Sequence, residues 1–345
     1  MRIYWVILFS VLVLAGCSSD ERRKLVVYSP HGKEMLSWYE KQFEAAYPEV
    51  DVQWLDMGSQ QVYDRIRTEQ QNPQASLWWG APSPMFARAA QEGLLAPYRP
   101  SWADAVGPEA RDSSDFWYGT FLTPEVIVYQ KELLNADQAP ADWDDLLHPQ
   151  WKGKIVIRNP LESGTMRTIF AAMILRQPTL EEGYIWLAKL DRNTRSYAAD
   201  PTQLYLKLAR GEGVVSLWNM PDTYLQAHQY GYPFDFVVPV SGTPVLAEGI
   251  ALVKGGPNLE DARKFYEFVT TPEALIFQAR TFYRIPARKD IPADSLPQWM
   301  VAQPIRAMTL DLNRLVKETP RWMAYWAEHI RGRGEAYLKE RGIQE

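Results

Sequence analysis

Short apolar runs alternate with segments of helical period along most of this chain, and that alternation restricts the possible folds more than any other feature. Leu25-Val26-Val27-Tyr28 reads as a buried strand. Met35, Leu36, Tyr39 and Phe43 then recur at helical spacing until Pro48 stops the helix. Val50, Val52 and Trp54 alternate as a second strand, and the polar turn Asp56-Met57-Gly58-Ser59 leads into a helix through Tyr63 and Ile66. Ala75 to Trp79 is a third strand, broken by Gly80-Ala81-Pro82-Ser83-Pro84 before a helix with Met85 and Phe86. Strand-helix order of this kind predicts an α/β fold with a mainly parallel sheet, and such sheets bind ligands at the carboxyl ends of their strands. Ser29, His31, Ser59, Trp79 and Gly80 fall at those ends and are candidate pocket residues.

A second α/β unit starts near Pro124, where Glu125-Val126-Ile127-Val128-Tyr129 reads as a strand, followed by Ile155-Val156-Ile157. Next comes Asn159-Pro160-Leu161-Glu162-Ser163-Gly164-Thr165 and a helix with Met166, Ile169, Phe170, Met173 and Ile174 on one face. Ser163, Gly164 and Thr165 at a helix opening offer backbone N–H groups, two hydroxyls and the positive end of the helix dipole, which suits an anion. The same residues suit an ordinary helix cap equally well. Val214 to Trp218 is a further strand, and Pro221 starts a helix that Gly231 ends. Phe234 to Pro239 leads back, Gly249 to Lys254 returns as a strand to the first unit, and Asn258 caps the next helix. The helical tail from Asp311 is expected over the outside of the first lobe. The predicted division is residues 25–120 with 245–345 as lobe one and 121–244 as lobe two. Trp218, Asn219, Asp222 and Glu248 complete the candidate ligand set, with the carboxylates as acceptors for hydroxyls and the indoles as an apolar wall.

The amino terminus is of another kind. Arg2 precedes an apolar run from Ile3 to Ala15 that is too short for a comfortable permanent span and ends in Leu14-Ala15-Gly16-Cys17. This is an export signal, and its end resembles the bacterial lipobox, which implies acylation of Cys17 and a lipid anchor in a membrane of the cell envelope. Residues 1–17 then form the signal and 18–24 a polar tether. Cys17 is the single cysteine, so the mature body folds without a disulfide, as a chain of 345 residues can. A formal charge of −5 and a pI near 5.6, with no basic stripe, give no support for nucleic-acid binding. Fourteen tryptophans suit an organic ligand, and they suit a plain core as well.

Several motifs carry a family likeness over nearly the whole mature chain. They are Val27-Tyr28-Ser29-Pro30-His31-Gly32-Lys33-Glu34, Trp79-Gly80-Ala81-Pro82, Trp117-Tyr118-Gly119, Ala141-Asp142-Trp143-Asp144-Asp145-Leu146-Leu147, His148-Pro149-Gln150-Trp151-Lys152-Gly153-Lys154 and Asn159-Pro160 through Ser163-Gly164-Thr165. The chain resembles the bacterial extracellular solute-binding proteins of the ferric-ion-binding type, whose relatives include binders of phosphorylated sugars, phosphonates, thiamine and polyamines. The resemblance implies a two-lobed, periplasmic-binding-protein-like (type II) fold with a central cleft. Its two hinge crossings are expected near Tyr118 to Pro124 and Val237 to Glu248, with ligand closing the lobes. It further implies a monomer that hands its solute to ABC permease subunits in the membrane, with no cofactor. The ferric members hold iron with an adjacent tyrosine pair, and here Trp218-Asn219-Met220-Pro221-Asp222 contains none, Tyr224 lying beyond the helix start. A small polar anion, such as a phosphorylated sugar or a phosphonate, is therefore the expected solute. Ferric iron with His31 as a ligand, and presentation of a ligand to a membrane sensor kinase, stay open as alternatives. No catalytic cysteine, Gly-x-Ser-x-Gly elbow, His-Glu-x-x-His or phosphate loop is present, which argues against an enzyme.

Overall fold

The computed structural model describes residues 22–302 and 305–343, so the signal, Cys17 and most of the tether lie outside the described residues. The chain runs through β1 (Arg23–Ser29), α1 (Lys33–Ala46), β2 (Val50–Asp56), α2 (Ser59–Thr68), β3 (Leu77–Pro82), α3 (Ser83–Gln91) and β4 (Leu95–Ala96). After the long β5 (Tyr118–Gln130) come β6 (Ile155–Arg158), α4 (Gly164–Leu175), α5 (Leu180–Asn193), β7 (Thr194–Ala198), α6 (Pro201–Ala209), β8 (Val215–Asn219), α7 (Met220–His228) and β9 (Phe234–Val237). The last part holds β10 (Val245–Val253), α8 (Leu259–Val269), α9 (Pro272–Phe282), β11 (Ile285–Pro286), α10 (Gln298–Ala302), α11 (Leu312–His329) and α12 (Gly334–Glu340).

The strands pair in the order β2-β1-β3-β10-β5-β8-β6-β7. β1 is parallel to β2 and β3, because α1 and α2 carry the chain back across the sheet after each strand. β5 joins the two halves without interruption. Its residues up to Pro124 pair antiparallel with β10, and from Glu125 onward it pairs antiparallel with β8 and β9. That change of partner marks the first crossing, and the segment before β10 is the second. The chain then passes a third time between β11 and α11, with Thr243 bridged to Ala307 along the way.

Burial explains the layers. One lobe closes its sheet with Leu25, Val27, Phe43, Trp79, Phe265 and Tyr266 on one face and with Tyr28, Tyr63, Trp78 and Phe86 on the other. In the second lobe Ile155, Ile157, Phe170, Leu187, Leu217 and Trp326 share one core. The one-sided face predicted for the helix after Thr165 is replaced by near-complete burial, since α4 lies within this core with α11 also in contact. A helix that is apolar all round needs such enclosure.

Three expectations are corrected here. The sheet is mixed and not mainly parallel, because β10 returns antiparallel between β3 and β5, and β5 runs antiparallel to β8 and β9. The carboxyl-terminal tail is not confined to the outside of the first lobe, because α11 touches α3 of that lobe and also reaches into the other one. Leu315, Trp322, Met323 and Trp326 of α11 form an apolar stripe that enters the second lobe's core, with Trp326 edge-on to Phe170 and Tyr197. Asn258 does stand before α8, yet its side chain makes no cap. It adopts φ 52° and donates to the Lys24 carbonyl at 2.6 Å, tying the helix to β1.

Candidate functional site

β1 ends at Ser29, whose hydroxyl accepts the His31 backbone N–H at 3.2 Å and turns the chain toward the lobe interface. The His31 imidazole stands edge-on to Trp79 and Phe121, with ring centroids 5.2 and 5.1 Å away. Gly80, at φ 97°, lies against the same ring, and a Cβ there would run into the imidazole. Burial and then the positive charge of Arg284 hold His31 well below the ordinary imidazole range, so the ring is neutral at pH 7. Its Nδ1 lies 3.7 Å from Glu248 Oε2, and its Nε2 is buried without a hydrogen-bond partner.

Glu248 owes its position to an irregularity in the register of β10, between Glu248 and Gly249 against β5, the kind of local disruption that re-aims a side chain. Burial pushes its carboxyl up to about 7, with Arg284 pulling down and Asp222 pushing up. Glu125, buried beside the strand crossing, is raised well above the usual carboxylate range by burial and then by Glu248 and Asp222. Three acidic side chains thus influence one another at the interface, where desolvation makes their repulsion strong.

From the second lobe, Asn219 caps α7 by accepting the Asp222 backbone N–H at 2.8 Å. The Asn219 amide also donates to Asp222 Oδ2 at 2.8 Å, which fixes the carboxylate. Asp222 Oδ1 pairs at 2.9 Å with Arg284 Nη2, supplied by the chain just before β11 on the first lobe. Trp218 donates its indole N–H to the Tyr205 hydroxyl at 3.1 Å. At the opening of α4 the Ser163 hydroxyl accepts the Met166 N–H at 3.2 Å, so that side chain is a helix cap. Gly164 packs directly on the first lobe. A Cβ there would sit 2.8 Å from Pro82 Cδ and 3.1 Å from Ser59 Oγ, and the neighbouring Thr165 is also buried.

The structure therefore brings His31, Glu248, Asp222 and Asn219 to one interface and places Ser59 opposite Gly164 and Thr165. Ser29 and Ser163 each accept a local backbone N–H, which leaves their own hydroxyl protons to donate. Trp79 is fully buried among Tyr39, Phe121 and Phe265, so it backs the histidine instead of forming a pocket wall. Among the described residues no group of three or more His, Cys, Asp or Glu is placed to hold a metal ion.

A family model described as bacterial extracellular solute-binding protein matches residues 81–305. The chain belongs to that family. It is a solute-binding protein of the kind that serves ABC importers. It is 26% identical over 301 residues to a protein of Sinorhizobium fredii named as a probable ABC transporter periplasmic-binding protein, covering 86% of this chain and 83% of that one. A periplasmic protein of Salmonella typhimurium named for 2-aminoethylphosphonate binding is 27% identical over 311 residues, 85% of this chain and 88% of that one. The solved periplasmic binding protein P5PA matches with a TM-score of 0.80 and 25% identity, over 90% of this chain and all of that one. The relatives are solute-binding proteins of the extracellular or periplasmic kind, and no described helix is long and apolar enough to cross a membrane.

Four residues of this solute-binding protein's interface escaped the sequence reading: Glu125, Arg158, Tyr205 and Arg284. Glu125 carried a signal, a carboxylate opening an otherwise apolar strand. Arg158, at the carboxyl end of β6, carried one too, since that end is where open α/β sheets gather ligands. Tyr205 and Arg284 had none, being a helix residue and a loop residue that only tertiary packing brings to the interface.

Proposed function

We propose that this solute-binding protein captures a small polar organic anion, such as a phosphorylated sugar or a phosphonate, between its lobes. The observation that carries the reading is the meeting of α4's amino terminus with Ser59 across the interface. A helix opening has backbone N–H groups without intrahelical partners, and Ser59 brings a hydroxyl from the other lobe up to it, so an anion at the edge of this contact would meet donors of both lobes. Glu248 and Asp222 accept hydrogen bonds from the solute's hydroxyls or amine, and Trp218 gives an apolar edge. The name of the Salmonella relative supports the phosphonate branch. The missing tyrosine pair after β8 weighs against ferric iron, which favours anionic oxygen donors.

In this reading the protein is anchored to the envelope through acylated Cys17, acts as a monomer, and passes its solute unchanged to ABC permease subunits without catalysing a reaction. Titration calorimetry with ferric citrate, fructose 6-phosphate and 2-aminoethylphosphonate tests it. Heat and a micromolar or tighter Kd for an organic phosphate or phosphonate are expected. Tight iron binding with a visible charge-transfer band, and no heat from either anion, would overturn it.

A further inference from the structure

We propose that Arg158, Tyr205 and Arg284 form an anion seat spanning the two lobes, and that this seat meets the formal charge of the solute. The inference rests on the anion reading above and names the side chains that carry it. Arg158 stands at the end of β6, where the turn that leads to the α4 opening begins. It is only 4% exposed, it donates one N–H to the Ala199 carbonyl at 2.8 Å, and its Nε is buried with no partner. Among the described residues no carboxylate pairs with it, and Glu162 and Asp200 act on it from beyond ion-pair distance. A buried guanidinium without a counter-ion is strongly disfavoured, and an anionic ligand removes that penalty.

Arg284 approaches from the other lobe. It is 6% exposed, spends one N–H on Asp222, and also keeps a buried Nε without a partner. Tyr205 connects the two. Its hydroxyl already accepts the Trp218 N–H, which leaves its own proton to donate, and it lies within the fields of Asp222, Arg284 and Arg158 together. The Arg158 guanidinium lies 5.8 Å over the Trp218 ring, the same ring whose N–H the Tyr205 hydroxyl accepts. Two planar, always-charged forks and one phenol suit a tetrahedral oxyanion with several acceptor oxygens, since guanidinium groups bind phosphate and carboxylate in paired contacts. Asp222 beside Arg284 adds a selective element. It repels a second negative charge there and attracts a donor, so the seat favours an anion whose neighbouring group is an amine or hydroxyl.

The test is titration calorimetry of wild type, Arg158→Gln, Arg284→Gln, their lysine counterparts and Tyr205→Phe. Inorganic phosphate, fructose 6-phosphate and 2-aminoethylphosphonate are the titrants, with ³¹P spectra of bound phosphate and thermal unfolding as a folding control. Each glutamine variant is expected to raise Kd by about ten- to a hundredfold while still folding, the range for losing a charge-assisted hydrogen bond. The lysine variants recover part of the loss, and Tyr205→Phe shifts the bound ³¹P resonance. If wild type binds one of these anions and both folded glutamine variants bind it with unchanged Kd and ³¹P shift, this seat is wrong and the anion reading stands. If wild type binds none of the three, the anion reading fails and the seat with it.

Discussion

Gly164→Ala separates lobe stability from lobe closure, because the substitution is favourable in one setting and unfavourable in the other. Gly164 opens α4 in ordinary helical geometry, so alanine there gains helix propensity, up to about 1 kcal/mol in a helix interior and less in the first turn. The new Cβ would lie 2.8 Å from Pro82 Cδ and 3.1 Å from Ser59 Oγ, both on the opposite lobe. Comfortable carbon contacts need about 3.5–4.0 Å. A proline ring that ends a buried strand has little room to retreat, so the lobes themselves must part. Overpacking of this size costs about 1–3 kcal/mol, and charged to the closed arrangement it weakens ligand binding by roughly five- to 150-fold. Calorimetry gives the Kd, small-angle scattering the compaction on ligand addition, and thermal unfolding the ligand-free Tm. The expected pattern is an unchanged or raised ligand-free Tm with a weaker Kd and less compaction. A Kd within twofold of wild type with full compaction would refute the argument, as would a ligand-free Tm that falls in step with affinity.

Three further outcomes follow from features already described. Glu248 is raised above its unfolded value to about 7, so it binds a proton in the folded state first. Its stabilising contribution is complete below the unfolded pKa near 4.5 and is lost as pH rises toward 7, with a slope of up to ~1.4 kcal/mol per pH unit. His31, lowered instead, acts the opposite way below its ordinary value, so the comparison is denaturant melts of wild type against Glu248→Gln from pH 4.5 to 7.5. Parallel curves would remove Glu248 as the source. Trp326→Ala should cost about 3–5 kcal/mol, because this fully buried ring fills the second lobe's core, and a Tm within a degree or two of wild type would contradict that placement. Cys17→Ala should yield a protein without lipid by mass spectrometry of membrane and soluble fractions. An unacylated wild-type mature protein would end the anchor reading.

Apolar runs and helical spacing were enough to place β1, α1, β2 and the strand after Pro124, since β1 and β5 are apolar on both faces while α1 and β2 bury one face at regular spacing. The strand-end rule also put His31 at the interface, whereas Asp222 lies in the first turn of α7 and Glu248 inside β10, aimed by the irregularity beside Gly249. What these patterns missed has a common cause. Whether Trp79 lines a pocket or backs a histidine depends on Tyr39 and Phe265, which lie far off in the chain. The position of α11 turns on which core accepts two tryptophans, and its own stripe looks the same against either lobe. Arg284 sits in a connection without regular period, and its function is set by Asp222 about sixty residues earlier, a pairing visible only once β11 docks on β5.

The placement of α11 has a consequence for a chain delivered amino end first, whether from a ribosome or through a translocation pore. The second lobe's core is assembled from residues 127–217 and 315–338, so its final tryptophans arrive after almost everything else has emerged. Until then Phe170, Met173 and Leu187 lack the helix that covers them. The half-made lobe exposes apolar surface over the interval in which the intervening hundred or so residues are delivered, and folding cannot proceed lobe by lobe in order of synthesis. A deletion near the carboxyl terminus therefore strips the cover from a core built in the middle of the chain.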